Sequence, residues 1–412
     1  MPTLLIINDT TGLPNWGGQA TAAALQQIMR DEVPDAEIKL LSHAWMNRSY
    51  WSRRNPLGGT KVIQTQKKKN PGRAKLFAFE PMVADEFESV ANEWMSSGAH
   101  EDAKEYIALL SEVDAVIFNA EGAVYRTNRQ ARKGLFMLWL AKTKFDVPAF
   151  FVNGSITLTR VDPVLQGMMR KTFSVIDGVA VREPVSYRSL KEYVPDAEAN
   201  VFPDAVFYFG QGDMEPASKE YEALRSRLGD TPYFCLSPSM LPMDYSRGPS
   251  ESAVLKVVQE LKRVVPQAVL MAKDRMDQFL EDIAERTDSI YFGPEYGYWD
   301  QMRTLEGASF MISGRYHHNI HAVVMGCPCI PLTTTSHKIE GLCEMVDNEI
   351  GPPFDATDLK YHLGEIADRA RGIVEAGEAK RHRLLVVAEH LQDEARGTGR
   401  MVHGVLAAEA VA

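Results

Sequence analysis

The sequence predicts two successive α/β domains, each a parallel sheet with helices on both faces, opposed across a cleft. Three observations lead there. Short apolar runs bounded by turns alternate with helical patterns along most of the 412 residues. Such runs suit strands covered on both faces, and their alternation with helices suits a parallel sheet. The rhythm breaks over "FGQGDMEPASKEYEALRSRLGD" (209–230), a polar stretch with Gly and Pro, and then resumes. The length also exceeds what one ordinary core accommodates. The limits that follow are a first domain over 1–210, a linker over 211–230, a second domain over 231–355 and a helical tail over 356–412.

Taken in order, "TLLIIN" (3–8) is a buried first strand, followed by a Gly-containing turn and the helical pattern "GGQATAAALQQIMRDE". "EIKLLS" (37–42), "DAVIFN" (114–119), "PAFFVN" (148–153) and "DGVAVR" (177–182) are further strands, with helices around 101–111, 129–143, 164–174 and 184–193. The second set runs "YFCLS" (233–237), "AVLMA" (268–272), "IYFG" (290–293), "SFMIS" (309–313) and "CPCIPL" (327–332). Helices are expected at 251–264, 276–286, 297–306, 316–325 and 337–346.

Composition narrows the function. The hydrophobic fraction of 45% and charged fraction of 24% suit a soluble globular protein. No stretch reaches the roughly 18 apolar residues of a membrane span, and the N-terminus lacks the basic and apolar regions of a signal peptide. Four cysteines make no disulfide framework, which points to a reducing cytoplasm. A net charge of −10 argues against nucleic acid as a partner.

Open α/β sheets bind ligands at the carboxyl ends of their strands, and five segments with chemical character fall there. In "SFMISGRYHHNIHAVVMG", Arg315 opens a helix whose free N–H groups favour anions, and its guanidinium adds a bidentate donor. His317 and His321 share one face of that helix, while His318 points about 100° away. Catalysis by His317, simple packing and an i, i+4 metal pair all remain open. "IPLTTTSHKIEG" (330–341) repeats the geometry, with Ser336 as N-cap and Lys338 in the first turn. Two adjacent cationic helix starts suit a dianion; ordinary capping is the alternative.

"NAEGAVY" (119–125) sets Glu121 at a strand end, as a base or hydroxyl ligand or as a cap. "VREPVSYRSL" with "PDAVF" places Arg182, Glu183 and Asp204 at similar positions, where a surface pair is the plain reading. "NDTTGLPNWGGQAT" brings Gly17 and Gly18 to a helix start without the dinucleotide-binding glycine pattern. Cys327, Cys329 and Cys343 with His337 fit no standard zinc spacing.

In this order the segments resemble the polysaccharide pyruvyl transferase family. "ISGRYHHNIHAVVMGCPCIPLTTTSHKIEG" is similar to its C-terminal signature, "FNAEGAVY" to its Asn-Gly-Glu-Gly segment, and "VREPVSYRSL" with "PDAVF" to its Arg-(Asp/Glu)-x-x-Ser and downstream Asp. "NWGGQAT" resembles its Asn-x-Gly-Asp, with Gly18 in place of the Asp. Tyr316 stands where the family has Leu, His318 is an extra base, and Ala120 replaces a Gly.

The resemblance implies a GT-B-like fold, phosphoenolpyruvate as donor, and the hydroxyls of a glycan or lipid-linked sugar as acceptor, giving a pyruvate ketal. It implies His317 and Glu121 as catalytic residues, Arg315, Lys338, Ser336 and Arg182 on the donor, and Asn15 and Asn119 on the acceptor, to which the aromatic loop start adds Trp45. No cofactor or metal is expected, since the cationic helix starts already supply positive charge. Ketal formation requires protonating the donor's methylene carbon, and histidine is the natural acid near neutrality. The basic, aromatic stretch from Trp45 to about Lys75 suits an acceptor-side loop. A nucleotide-sugar glycosyltransferase of the same fold and a non-enzymatic glycan-binding protein are the alternatives.

Overall fold

A computed structural model describes residues 1–47, 80–122, 124, 127–158, 162–239, 251–273 and 275–410. Most of the expected loop beyond Trp45 lies outside the described residues. The first sheet is wholly parallel, with strands β1 (Thr3–Asp9), β2 (Glu37–Ser42), β3 (Ala115–Asn119), β4 (Ala149–Gly154), β5 (Gly178–Val181) and β6 (Asn200–Val201) in the order β2-β1-β3-β4-β5-β6. The second, also parallel, comprises β7 (Tyr233–Ser237), β8 (Gln267–Met271), β9 (Ile290–Phe292), β10 (Met311–Ser313) and β11 (Cys329–Pro331) in the order β11-β10-β7-β8-β9. Every residue of β3, β4 and β7 is buried, as strands covered on both faces should be.

Each sheet reverses its strand order beside its first strand. The reversal lies between β1 and β3 in the first sheet and between β7 and β10 in the second. At such switch points adjacent connections leave in opposite directions and open a crevice. In the second, Gly314 lets the chain pass Ser239, because a Cβ at Gly314 would lie 2.6 Å from the Ser239 Cα. The two crevices face each other, and the residues described below meet between them.

The expected linker is shorter than the sequence suggested. Helix Lys219–Leu228 occupies much of it, and its Leu224 and Leu228 are buried in an apolar cluster that runs through both domains. Their spacing of four is a short amphipathic signal hidden in a mostly charged stretch. The tail is not an appendage either. Helix Leu363–Ala395 packs Ile366, Ala370 and Ile373 on the second domain, turns at Gly377, where φ is 51°, and then buries Leu384, Ala388 and Leu391 in the shared core. Helix Gly397–Glu409 lies on the first domain, with Arg396 paired to Glu32 at 2.9 Å.

Candidate functional site

His317 is the point where the domains meet. It sits in the first turn of helix Tyr316–Val324, just after β10. Its Nε2 lies 3.0 Å from Thr21 Oγ1 and 3.6 Å from Asp204 Oδ2, both in the first domain. Nδ1 makes no hydrogen bond among the described residues. The ring rests on the start of helix Trp16–Glu32, where a Cβ at Gly17 would lie 2.7 Å from its Cγ.

Asp204 is itself fixed. Arg182 Nη1 donates to its Oδ2 at 2.6 Å and the Val206 amide to its Oδ1 at 3.0 Å, while Arg182 Nε donates to Ser155. Burial raises the Asp204 pKa, but the Arg182 guanidinium and His317 outweigh it and hold the carboxyl well below the usual range. For His317, burial lowers the pKa and Asp204 opposes it; the net shift is downward. The imidazole is therefore neutral in the empty protein at neutral pH, with a carboxylate placed to stabilise its charged form.

Beside His317 is a cleft lined by Asn15, Lys273, Arg315, Thr334 and Lys338 among others. Arg315 Nη2 donates to Asp277 at 2.5 Å, while its Nε and Nη1 are buried without a partner among the described residues. A buried guanidinium with two unused donors is costly unless a ligand accepts from them. Burial, with the nearby positive charges of Arg182, Lys273 and Arg315, lowers Lys338 to about 7. The cleft is suited to an anion that brings negative charge among three cations.

The first-domain switch point carries Glu121. Asn119 Nδ2 donates to its Oε1 at 3.1 Å, and Thr10 Oγ1 lies 2.5 Å from the same oxygen and 2.7 Å from the Gly18 carbonyl oxygen. Thr10 has one proton for two acceptors, an arrangement that fits a carboxyl able to hold a proton of its own. Burial accordingly pushes Glu121 up to about 7. Glu121 lines a second pocket, and Asn15 borders both. Asn15 also caps helix Trp16–Glu32, accepting from the Gly17 amide at 3.2 Å.

The structure thus gathers His317, Arg315, Lys338, Glu121 and Asn15, and moves four other expected residues away from ligand contact. Arg182 is 1% exposed and neutralises Asp204; burying that carboxylate requires a counter-charge, so Arg182 is no donor clamp. Asn119 is wholly buried and holds Glu121 in place. Trp45 is 2% exposed, with Lys133 Nζ 3.7 Å over its ring and its own Nε1–H given to Glu105; it has no open face for a sugar. Ser336 is not the N-cap, because helix Lys338–Met345 begins one residue later with His337 at that position. Thr334 lines the cleft instead.

His337 turns to Glu183, 3.3 Å away, rather than to the cysteines. Cys327, Cys329 and Cys343 are buried, and among the described residues no three potential ligands converge on a metal position. His318 also lines the cleft, its ring centroid 4.3 Å from that of Trp16 and its Nδ1 buried without a partner among the described residues, while His321 Nδ1 is 2.6 Å from Gln301 Oε1 in the core.

Sequence reasoning missed Lys273, Thr21 and Thr10. Lys273 follows β8 at its carboxyl end and was accessible to the same rule that found Arg315. Thr21, one helical turn beyond Gly17, had no signal without knowledge of the partner domain.

Residues 15–337 match the family described as polysaccharide pyruvyl transferase. No curated protein matches the chain in sequence. Among solved structures it is similar to MnaA of S. aureus with UDP, at 12% identity and TM-score 0.57 over 98% of this chain and 96% of that one. It is also similar to UGT89C1 of Arabidopsis thaliana with UDP, at 9% identity and TM-score 0.58 over 98% and 99%. The UDP-GlcNAc 2-epimerase of Methanocaldococcus jannaschii matches at 10% identity and TM-score 0.52 over the whole of both chains. The two-domain arrangement is the GT-B fold, as the sequence led one to expect. No described helix is long and apolar enough to cross a membrane.

Proposed function

The chain belongs to the polysaccharide pyruvyl transferase family, and we propose that it transfers the pyruvyl group of phosphoenolpyruvate to two hydroxyls of a sugar, forming a ketal. The observation that carries this reading is the junction at Asn15 of a cationic cleft holding His317 with a second pocket holding Glu121. Phosphoenolpyruvate has a carboxylate and a phosphate, which suit the Arg315 donors that have no partner among the described residues and the Lys273 and Lys338 ammonium groups.

In the proposed reaction, His317 becomes charged when the dianionic donor binds beside it; it then gives that proton to the methylene carbon, and C2 becomes an oxocarbenium centre. The first sugar hydroxyl bonds to C2 as its proton passes to Glu121. The C2–O bond to phosphate then breaks, the phosphate keeps the electron pair, and the proton held by Glu121 leaves with it. The second hydroxyl closes the ketal and returns its proton to His317. One proton enters the product methyl group and one the phosphate, so the enzyme is restored. Asp204 stabilises the imidazolium at the start and end of this cycle.

Thermal unfolding with candidate donors tests the reading. A ligand that binds only the native state raises Tm, so phosphoenolpyruvate alone should raise it. A rise with UDP-, GDP- or CMP-sugars and none with phosphoenolpyruvate would replace this reading with glycosyl transfer. Glycan binding without turnover would make the protein a binding module.

A further inference from the structure

We propose that His317 works through its Nδ1, and that Thr21 is the positioning residue that keeps the other ring proton on Nε2. This rests on the pyruvyl-transfer reading for the use made of the proton, while the choice of nitrogen stands on the contacts of the ring itself. Nε2 lies 3.0 Å from Thr21 Oγ1 and 3.6 Å from Asp204 Oδ2, and Thr21 Oγ1 also donates to Asp204 Oδ1 at 3.4 Å. The neutral ring has two forms. With the proton on Nδ1, the Nε2 lone pair would face the Asp204 carboxylate, and Thr21 would have to turn its own proton from Asp204 to the ring. With the proton on Nε2, the ring donates to Thr21 and Thr21 donates to Asp204, so each atom meets a partner of the right kind. A carboxylate held charged by Arg182 favours the second form.

The same choice decides which nitrogen meets the ligand. Thr21 and Asp204 are wholly buried and stand apart from the cleft lining, so Nε2 is turned away from the cleft. Nδ1 makes no hydrogen bond among the described residues, and it is the ring atom nearest to the Cβ position of Gly17, which does line the cleft. A bound dianion charges the ring by favouring a second proton, taken from water at Nδ1. In the transfer, the Nδ1–H bond breaks with its electron pair left on the ring, and the π pair of the donor forms the new C–H bond. Nε2 keeps its proton throughout, against Thr21. The other charged or titratable groups near the ring are Arg182 and Lys338, with His318 and His321 on its own helix. Among the described residues none of these four hydrogen-bonds to His317, so none competes with Thr21 for that proton.

The test uses the full chain labelled with ¹⁵N-histidine, the His317 signals being assigned by their loss in His317→Gln. In the ligand-free protein at pH 8, Nε2 should carry the proton and Nδ1 should show the shift of a bare nitrogen. Phosphoenolpyruvate should then protonate Nδ1 and leave Nε2 as it was. Thr21→Val keeps the shape of the side chain and removes the hydroxyl. It should spread the ring over both neutral forms, because Asp204 at 3.6 Å is too far to hold the proton alone. It should also lower kcat roughly tenfold, the weight of one hydrogen bond, with donor affinity kept. Thr21→Ser should restore both the single form and the rate; a packing role would give the reverse order, with valine the better substitute. A protonated Nδ1 beside a bare Nε2 in the ligand-free protein would overturn the proposal, as would Thr21→Val with the wild-type ring form and rate. If Thr21→Val does not fold, the wild-type spectrum and Thr21→Ser still decide it. Failure of phosphoenolpyruvate to bind would instead remove the pyruvyl-transfer reading, and the ligand-free spectra would still decide which nitrogen holds the proton.

Discussion

Gly17 and His317, three hundred residues apart in sequence, touch across the domain boundary so closely that the space for a glycine Cβ is filled by the imidazole. Gly17→Ala should therefore displace the ring from Thr21 and Asp204. Overpacking of this kind costs about 1–3 kcal/mol. In a His317→Ala background the same change should cost almost nothing. A double-mutant cycle on unfolding free energy measures the difference, and equal costs in both backgrounds would refute the contact.

His317→Gln should lower kcat by about 10²–10⁴, the usual weight of general acid–base catalysis, with donor affinity nearly kept. His318→Gln should be far milder in kcat, since burial and the neighbouring Arg315 charge hold that ring neutral although it lines the cleft. His321→Ala leaves Gln301 without its partner in the core and should cost about 1–3 kcal/mol of stability, with little kinetic change. Steady-state kinetics beside calorimetry separate the three, and a dead His318→Gln with an active His317→Gln would reassign the acid.

Asp204→Asn should move the alkaline limb of the kcat profile to lower pH. The acid works only while protonated, and Asp204 is what raises the His317 pKa against burial. Activity should thus fall more at pH 8 than at pH 6. A uniform loss at all pH values would mean that Asp204 serves the fold and not the proton. The variant also leaves Arg182 buried beside a neutral amide, so comparison at low temperature is needed.

Donor binding should take up a proton above about pH 7. Lys338 is lowered to about 7 by burial and neighbouring cations, and a bound dianion raises it again. Phosphoenolpyruvate affinity should consequently weaken as pH rises past that value. Calorimetry at pH 7.5 in buffers of different ionisation enthalpy reads the proton directly, and Lys338→Met should reduce the uptake to the share that His317 takes as it charges in the donor complex. Identical apparent enthalpies in all buffers with wild-type protein would exclude this role.

Glu121→Gln should inactivate the enzyme yet stabilise it. The folded-state pKa of Glu121 is raised to about 7, so the carboxylate form is disfavoured by folding. Its stability is complete below the unfolded pKa near 4.5 and declines as pH rises toward 7. The variant should gain on wild type over that window, by about 1–3 kcal/mol at pH 7.5. A parallel pair of stability curves would show that Glu121 is not strained by its site.

The strand–helix alternation and the helix starts were legible because they depend on local period and on short-range hydrogen bonding. Arg315, His317, Lys338 and Glu121 were found by a rule that needs only strand ends. Arg182 and Asn119 were found by the same rule but given the wrong work, because a sequence does not show whether a polar group at a strand end meets a ligand or another buried charge. Trp45 misled for a similar reason: an aromatic ring near a polar loop suits a sugar, but here Lys133 already covers it. Thr21 was out of reach, since its role arises only when separate elements converge.

The C-terminal helix that bends at Gly377 gives the molecule a second covalent passage between its halves, beside the short one ahead of Lys219. One tether would leave the domains free to twist as well as to open. Two hold the halves in one mutual orientation, and the apolar core they share reinforces it. The register between an imidazole on one half and a bare glycine on the other is thereby fixed by chain connections far from the contact itself.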